Sequence, residues 1–478
     1  MSKIYLTTAI PYVNGAPHIG HAMDYVIADS YARYHSLRGD EVRFQAGTDE
    51  HGNKIFQKAA ANNISVKEYV DANSQKFQDF IKSLDVKNTD FIRTTDPKHE
   101  ERCQKIWEKI SDHIYLSKYE GWYCSGCEGY ITQKEYDENG GICPDHQKPY
   151  EKLTEENYYL RISDFKDAIR TKIESDEMLI LPEFRKKEVL KLLEDAPDVS
   201  ISRPISQLTW GVPVPGDENQ TMYVWMDALS NYITVLGYPD QDISEWWPAS
   251  VQFVGKDILR FHVIIWPAIL LALGLPLPKV ICSHGFILSN GQKMSKSIGN
   301  VIDPTEVVEK HGADAFRYYF LRHVDNFNDG DFTWDKFESA YNTELANDLG
   351  NLVQRLSAMI AKNKVKHEKT DKNSVKSVYA LHENYCDLMD NFEFTKAFDY
   401  AWEKVQAINK RIDDEKPWEL AKNGETEKLA ETLNSMVDDL LAANILLAPF
   451  LPTATGKIKA IFEAEEIVPP TTPLFPKQ

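Results

Sequence analysis

The stretch Ile10-Pro11-Tyr12-Val13-Asn14-Gly15-Ala16-Pro17-His18-Ile19-Gly20-His21 joins a short β-branched run, Ile4 to Thr8, to an amphipathic one. In the second run Ile19, Met23, Val26, Ile27, Ser30 and Tyr34 recur at helical spacing as far as Gly39, a residue type suited to ending a helix. His-Ile-Gly-His therefore falls where a strand hands over to a helix. Free N–H groups at a helix start carry partial positive charge and suit an anion. Gly20 lets a flat base approach the backbone, and His18 and His21, one turn apart, can face the same phosphate. Alone, the motif also reads as a plain turn with two surface histidines. After a Gly39-Asp40 turn, Val42 to Ala46 forms a second strand, followed by Gly47-Thr48-Asp49-Glu50-His51-Gly52. Strand–helix–strand at this spacing implies parallel strands with a right-handed crossover, and ligands bind beyond their carboxyl ends. Asp49 falls at such an end beside the His18 turn, unless it caps a helix.

A chain of 478 residues with 42% hydrophobic content holds two to four globular domains. The longest apolar runs, 263–275 and 440–452, contain proline and fall short of the roughly 20 residues a bilayer needs. With no signal or transit pattern at the start, the expectation is a soluble, cytoplasmic protein. A net charge of −19 argues against generic adhesion to nucleic acid, but specific binding needs only a local basic patch. Of six cysteines, Cys103, Cys282 and Cys386 are scattered and read as core residues, while Cys124, Cys127 and Cys143 cluster. That is no disulfide framework, so a reducing compartment fits.

From about residue 116 glycine, tyrosine, cysteine and aspartate become dense. Cys124-Ser125-Gly126-Cys127 and Cys143-Pro144-Asp145-His146 flank 15 residues, the pattern of a structural zinc held by two chelating pairs. Four protein ligands close a tetrahedral ion to substrate, and Gly126, Gly129, Gly140 and Gly141 permit the turns. Trp210 to Pro215 reads as an extended, proline-stiffened segment returning to the main sheet, which makes 116–214 an insertion between 1–115 and 215–290. In the second half Trp225, Ala228 and Tyr232 share a helical face. Val251 to Val254 is a strand leading into Gly255-Lys256-Asp257-Ile258, after which Ile258, His262 and Trp266 stand in line, as core or as a pocket wall. Val280 to Cys282 is another buried strand, ending at Ser283-His284-Gly285. Ser289 to Asn300, containing Lys293-Met294-Ser295-Lys296-Ser297, is a glycine-flanked polar loop able to wrap a polyphosphate or simply be solvated. Residues 291–345 are mixed, with one helix starting at Asp303-Pro304 and carrying Val307, Val308, Ala315 and Phe316. The remainder, 346–478, is a helical bundle.

Assembled, these residues resemble a class I aminoacyl-tRNA synthetase, and among those the methionyl-tRNA synthetase family. His18-Ile19-Gly20-His21 and Lys293-Met294-Ser295-Lys296-Ser297 match the two class signatures. The methionine assignment rests on Ala9 to Gly15, Gly47 to Gly52, Tyr223 to Tyr232, Gly255 to Trp266, the single zinc knuckle and Glu415-Lys416-Pro417-Trp418-Glu419-Leu420. The resemblance implies a Rossmann-like parallel-sheet catalytic domain with a zinc-knuckle insertion, followed by an all-α anticodon-binding bundle. It implies activation of L-methionine by ATP and transfer to tRNA(Met), initiator and elongator, with Mg²⁺ accompanying ATP. It assigns catalysis to His18, His21, Lys293 and Lys296. Methionine binding falls to Ile10, Tyr12, Asp49, Trp225, Ala228, Leu229, Tyr232, Ile258, His262 and Trp266. ATP contacts add Gly20, Gly255, Asp257, His284 and Gly285, and zinc falls to Cys124, Cys127, Cys143 and His146. Anticodon contacts fall to Asn351, Arg355 and Trp418, the last also readable as helix packing. Some members append a C-terminal domain that dimerises; its absence here leads to the expectation of a monomer.

Overall fold

A computed structural model of the chain describes all residues except 1, 128, 295–301, 368–372 and 478. Its centre is a six-stranded sheet of β1 (Lys3–Thr8), β2 (Glu41–Thr48), β3 (Asp90–Arg93), β4 (Leu179–Leu181), β5 (Val251–Gly255) and β6 (Val280–His284), in the order β3-β2-β1-β5-β6-β4. Every neighbouring pair is parallel. All five residues of β5 are buried, because helices cover both faces of a parallel sheet and leave no solvated side to alternate towards. The chain proceeds outward from β1 through β2 to β3, then resumes on the other side of β1 with β5 and β6. The crevice beyond the carboxyl ends of β1 and β5 is thus the switch point where such sheets bind ligands. At Gly47 any Cβ would lie 2.4 Å from the Ile92 carbonyl oxygen, so only glycine lets β2 and β3 close up there.

The first crossover helix, α1, spans Ile19–Arg38 and buries Ile19, Met23, Val26 and Ile27. It ends at Gly39, whose φ of 88° lies in the left-handed region that a Cβ disfavours. Beginning just before 116, the strands Gly129–Ile131, Ile114–Cys124, Glu151–Leu160 and Val199–Ser200 form an antiparallel sheet that presents the cysteines. The same stretch also contributes β4 to the edge of the main sheet. Trp210 to Pro215 does not return to that sheet. Pro213–Val214 instead forms a hairpin with Asp217–Met222, turning at Pro215-Gly216 with Gly216 at φ 77°, beside Ser202–Pro204. Two prolines remove donors that a central parallel strand requires. The helix begun at Asp303, whose side chain accepts from the Thr305 N–H, stops at His311. Gly312 at φ 86° breaks it before Ala313–Arg322, so the apolar residues expected on one helix lie on two.

The bundle is built from Tyr341–Gly350, a π-helical segment, and Asn351–Asn363, Val375–Leu381, Glu383–Asp390, Phe394–Glu415, Pro417–Asn423, Thr426–Leu447 and Pro452–Phe462. One apolar cluster runs from α1 into it without a break, with Tyr31 stacked on Phe392 at 4.9 Å. Among the described residues no helix is long and apolar enough to cross a membrane.

Candidate active site

At the switch point His18 is the extended N-cap of α1. Its Nδ1 accepts from the Gly20 N–H at 3.2 Å, and Nδ1 of His21 accepts from the His18 N–H at 3.1 Å. The two imidazoles thus form a reciprocal capping box, a place usually taken by a hydroxyl and a carboxylate. Because both Nδ1 atoms accept, the neutral rings carry their protons on Nε2. The rings stack at 3.6 Å with planes 20° apart. Burial, reinforced by His18 and His284, holds His21 well below the usual imidazole range, so it is a neutral donor at pH 7. A Cβ on Gly20 would meet only the His18 ring, at 3.1 Å.

Asp49 lies beyond β2. Its N–H donates to the Pro11 carbonyl (2.9 Å), and its carbonyl accepts from the Val13 N–H (3.0 Å), which ties it to Tyr12 in an isolated parallel bridge. It caps no helix; Gly52 occupies the N-cap of Asn53–Ala61. A Cβ on Gly52 would sit 2.2 Å from the Tyr12 hydroxyl, so glycine makes room for that ring. The Asp49 Oδ1 is buried with no hydrogen-bond partner among the described residues. Burial, then the like charge of Asp227, push its carboxyl well above the usual range, opposed by His51. A carboxylate held this way is stabilised by an incoming cation.

The other wall comes from the helix Val224–Thr234 and the segment after β5. Ala228, Leu229, Tyr232, His262 and Trp266 are buried, while Ile10, Tyr12, Trp225 and Ile258 are half-buried. Trp225 stacks on Phe261 at 3.8 Å and stands edge-on to His262 at 6.2 Å. His262 sits in a π-helical turn, Phe261–Ile265, rather than a regular α-helix. Pro267 follows, and a proline ring clashes with the carbonyl four residues back while lacking an N–H, which favours the wider turn. Nδ1–H of His262 donates to the Ile258 carbonyl at 3.0 Å, so Nε2 is the acceptor of the Tyr232 hydroxyl at 2.7 Å. Burial lowers His262 to about 4 and keeps it neutral. Both polar hydrogens at this end are therefore spent internally. The spacing of Ile258, His262 and Trp266 could not reveal Gln252, whose Oε1 accepts from Trp266 Nε1 at 3.0 Å while its amide reaches Thr7. A lone glutamine in an otherwise apolar buried strand was the available signal.

Across β5 and β6, a Cβ on Gly255 would lie 2.7 Å from Asp257 Oδ1. His284 bonds Asp24 Oδ1 through Nε2 (2.7 Å) and the Gly285 carbonyl through Nδ1 (2.8 Å). Against the effect of burial, Asp24 raises its pKa. Gly285 packs against backbone: a Cβ there would fall 2.1 Å from the Asn328 carbonyl oxygen. Lys293 lies on a short strand paired with Leu288, and its side chain and Lys296 lie outside the described residues.

Cys124, Cys127, Cys143 and His146 bring four ligand atoms within 4.8 Å of one another. Cys127 Sγ is 3.5 Å from Cys143 Sγ and 3.3 Å from His146 Nδ1, and Cys143 Sγ is 3.6 Å from the same nitrogen. Zinc bonds of about 2.0–2.3 Å set tetrahedral ligand separations of roughly 3.3–3.8 Å, so the cluster fits the ion. Gly126 lies in the turn 125–127, and a Cβ there would strike the His146 ring at 2.3 Å, so glycine also makes room for that ligand. Gly140 (φ 61°) and Gly141 (φ 78°) make turns as well.

In the bundle Asn351 is exposed, and Arg355 donates to Asp413 at 2.9 Å. Trp418 is 47% exposed and lines a cavity of about 300 Å³ together with Met359, Lys362 and Lys422. An exposed aromatic side chain sharing a cavity with two lysines suits a splayed-out base.

A parallel sheet with two imidazoles at its switch point and an appended helical bundle is the architecture of the class I aminoacyl-tRNA synthetases. Residues 4–357 match the family model for tRNA synthetases class I (M). The methionine–tRNA ligase of Thermotoga maritima is 38% identical over 470 residues, covering 95% of this chain and 74% of the relative. Among solved structures, methionyl-tRNA synthetase of Mycobacterium tuberculosis in complex with methionyl-adenylate superposes with a TM-score of 0.92 at 35% identity, covering all of both chains. The free-state structure of the same enzyme gives 0.84 at 32%, covering 100% of this chain and 98% of that one. The chain belongs to the methionyl-tRNA synthetase family.

Proposed function

We propose that the crevice between β1 and β5 binds methionine and ATP together, with each side chain in the role its environment favours. The chain activates methionine and transfers it to tRNA(Met), as its relatives do. The observation that carries the pocket is Asp49, a buried carboxylate oxygen without a partner beside a wall of aromatic and aliphatic side chains.

Asp49 pairs with the substrate ammonium. Trp225, Ala228, Leu229, Tyr232, Ile258, His262 and Trp266, with Ile10 and Tyr12 opposite, enclose the thioether. With the Tyr232 and His262 hydrogens already committed, a polar side chain entering here loses hydration without gaining a donor, whereas a thioether loses little. The methionine carboxylate oxygen attacks the α-phosphorus and the bond to the β-phosphate oxygen breaks, releasing pyrophosphate. No enzyme nucleophile is needed, so catalysis is positioning and charge stabilisation. The Nε2–H groups of His18 and His21 donate to phosphate oxygens at the positive end of α1. Gly20, Gly255 and Asp257 take the nucleoside sugar side, and His284 with Gly285 the adenine side. Lys293 and Lys296 close on the departing pyrophosphate. Mg²⁺ bound with ATP supplies further charge neutralisation. A terminal adenosine hydroxyl of tRNA then attacks the carbonyl and AMP leaves. Cys124, Cys127, Cys143 and His146 hold one structural zinc, and Asn351, Arg355 and Trp418 meet the anticodon. The division into 1–115, 116–214, 215–290, 291–345 and 346–478, a cytoplasmic setting and a monomeric state belong to the same proposal.

Exchange of pyrophosphate into ATP, run across twenty amino acids, tests this reading. It is expected with methionine; activity with leucine instead, or with none, rejects it. Trp418→Ala is expected to leave that exchange within twofold of wild type while lowering tRNA charging by about tenfold or more, from a stacking loss of about 1–3 kcal/mol. If both fall together, Trp418 is a packing residue.

A further inference from the structure

Behind the proposed ammonium site runs a chain of ionisable groups, buried at His51, His99 and Asp227 and reaching the surface at Glu100. Asp227, on the helix that carries Trp225, Ala228, Leu229 and Tyr232, has both carboxylate oxygens occupied. Oδ2 accepts from His51 Nδ1 at 2.6 Å and Oδ1 from His99 Nε2 at 2.7 Å. The far side of the His51 ring, Nε2, is 3.4 Å from Glu100 Oε1. A carboxylate can only accept, so a ring facing two of them carries both protons and is a cation. His99 continues the chain through Nδ1 to Thr234 Oγ1 at 2.7 Å. His99, Cys103 and Asp227 could be taken for a metal site. However, the 2.7 Å between His99 and Asp227 is a hydrogen-bond distance, shorter than the roughly 3.3 Å that two ligands of one tetrahedral ion keep.

We propose that His51 and Asp227 form a positioning pair that locks the helix Val224–Thr234 to the Asp49 segment, with the positive charge of His51 offsetting that of Asp227 beside the substrate ammonium site. The proposal rests on Asp49 being the ammonium partner. His51 is two residues from Asp49 and bonded to the helix bearing the side-chain pocket, so one buried contact sets the distance between ammonium and thioether subsites. The charges around the pair are few. Asp49 and Glu50 come from its own segment, and Glu50 is neutralised by Arg93 at 2.7 and 2.8 Å. Glu100 and His99 come from Pro97–Lys109, and Asp227 from the pocket helix. The Trp210 ring stands edge-on at 5.6 Å and donates to the Glu50 carbonyl. His51 is thus the cation closest in sequence to Asp49, and it offsets Asp227, the like charge acting on the same carboxylate. Burial would lower His51, but Asp227 and Glu100 raise it to about 10, and His51 with His99 holds Asp227 down to about 2. Both shifts favour the charged pair.

The test is the pH dependence of methionine and ATP kinetics in pyrophosphate exchange with the zinc-loaded full chain carrying His51→Gln. Removing the positive charge raises the Asp49 carboxyl further, so the acid limb of kcat/KM for methionine is expected to move to higher pH by about one unit. That corresponds to about a tenfold higher methionine KM at pH 6, with the ATP KM within twofold of wild type. An unmoved acid limb, or equal rises in both KM values, overturns the proposal. If that variant is insoluble, the isosteric Asp227→Asn takes its place. A methionine KM about fivefold higher with an unchanged ATP KM supports the lock, and an unchanged methionine KM overturns it. Asp49→Asn as a parallel control separates failure of the pair from failure of the Asp49 assignment: if that control leaves the methionine KM unchanged, the assignment itself is at fault.

Discussion

Asp49→Asn is expected to lower kcat/KM for methionine by about 10²- to 10³-fold while changing the ATP KM by less than twofold. Breaking one side of a buried ion pair costs about 3–5 kcal/mol, and each ~1.4 kcal/mol is tenfold in rate. The neighbouring contacts do not replace it, because Oδ1 has no partner among the described residues. Steady-state pyrophosphate exchange at saturating ATP measures the loss, and an equal loss against both substrates would show that the residue shapes the fold rather than the methionine site. The same substitution is expected to raise Tm. A carboxyl whose folded pKa lies above its unfolded value costs nothing below the ordinary carboxylate range, and its cost grows as pH rises towards the folded value. The gain is therefore expected to be larger at pH 7 than at pH 4, an exchange of stability for binding common at functional sites.

Arg317→Met is expected to lower Tm by roughly 5–10 °C. The Arg317 guanidinium is fully buried. It pairs with Asp29 Oδ2 at 2.7 Å and donates to the Phe450 carbonyl (2.7 Å), the Pro449 carbonyl (2.9 Å) and Ser30 Oγ (3.2 Å). One side chain thus fastens α1, the helix Ala313–Arg322 and the bundle to one another. Methionine can fill the volume but leaves two carbonyls without that donor, at about 1–3 kcal/mol each. Asp29 keeps Arg33 at 2.6 Å and the Lys87 N–H at 2.8 Å, which places the total nearer the lower end. Because α1 begins at His18 and His21, loosening its middle is expected to slow adenylate formation as well as melt the protein earlier. Calorimetry with Arg317→Met, Asp29→Asn and the double variant checks the pairing: the two losses should add to more than the double variant shows. A Tm drop below 2 °C would contradict the buried-hub account.

Local signals were strong where one short segment carries the physics. Gly39 ends α1 because only a residue without a Cβ adopts φ 88° freely. The cysteine pairs converge because two hairpin-borne chelates can reach one centre. Leu345, Leu349, Leu352, Leu356 and Met359 recur at helical spacing at the start of the bundle; the four leucines are buried and Met359 is half-buried. Signals failed where a distant segment overrode local preference. The proline-stiffened 210–215 turned back on itself instead of joining the main sheet, while the three-residue β4 joined its edge. The register of a short run is decided by whichever edge offers matching donors.

The first strand–helix–strand unit, the two-histidine helix start and the ligand set of the metal knuckle were legible in sequence alone, since each depends on residues within a few turns or a hairpin of one another. Tertiary structure alone decided that Oδ1 of Asp49 lies buried and unpartnered among the described residues, that Asp227 on a helix 178 residues later faces His51 behind it, and that Arg317 reaches Phe450. Burial and through-space charge are properties of packed neighbours, and no spacing within a single segment encodes which neighbours those are.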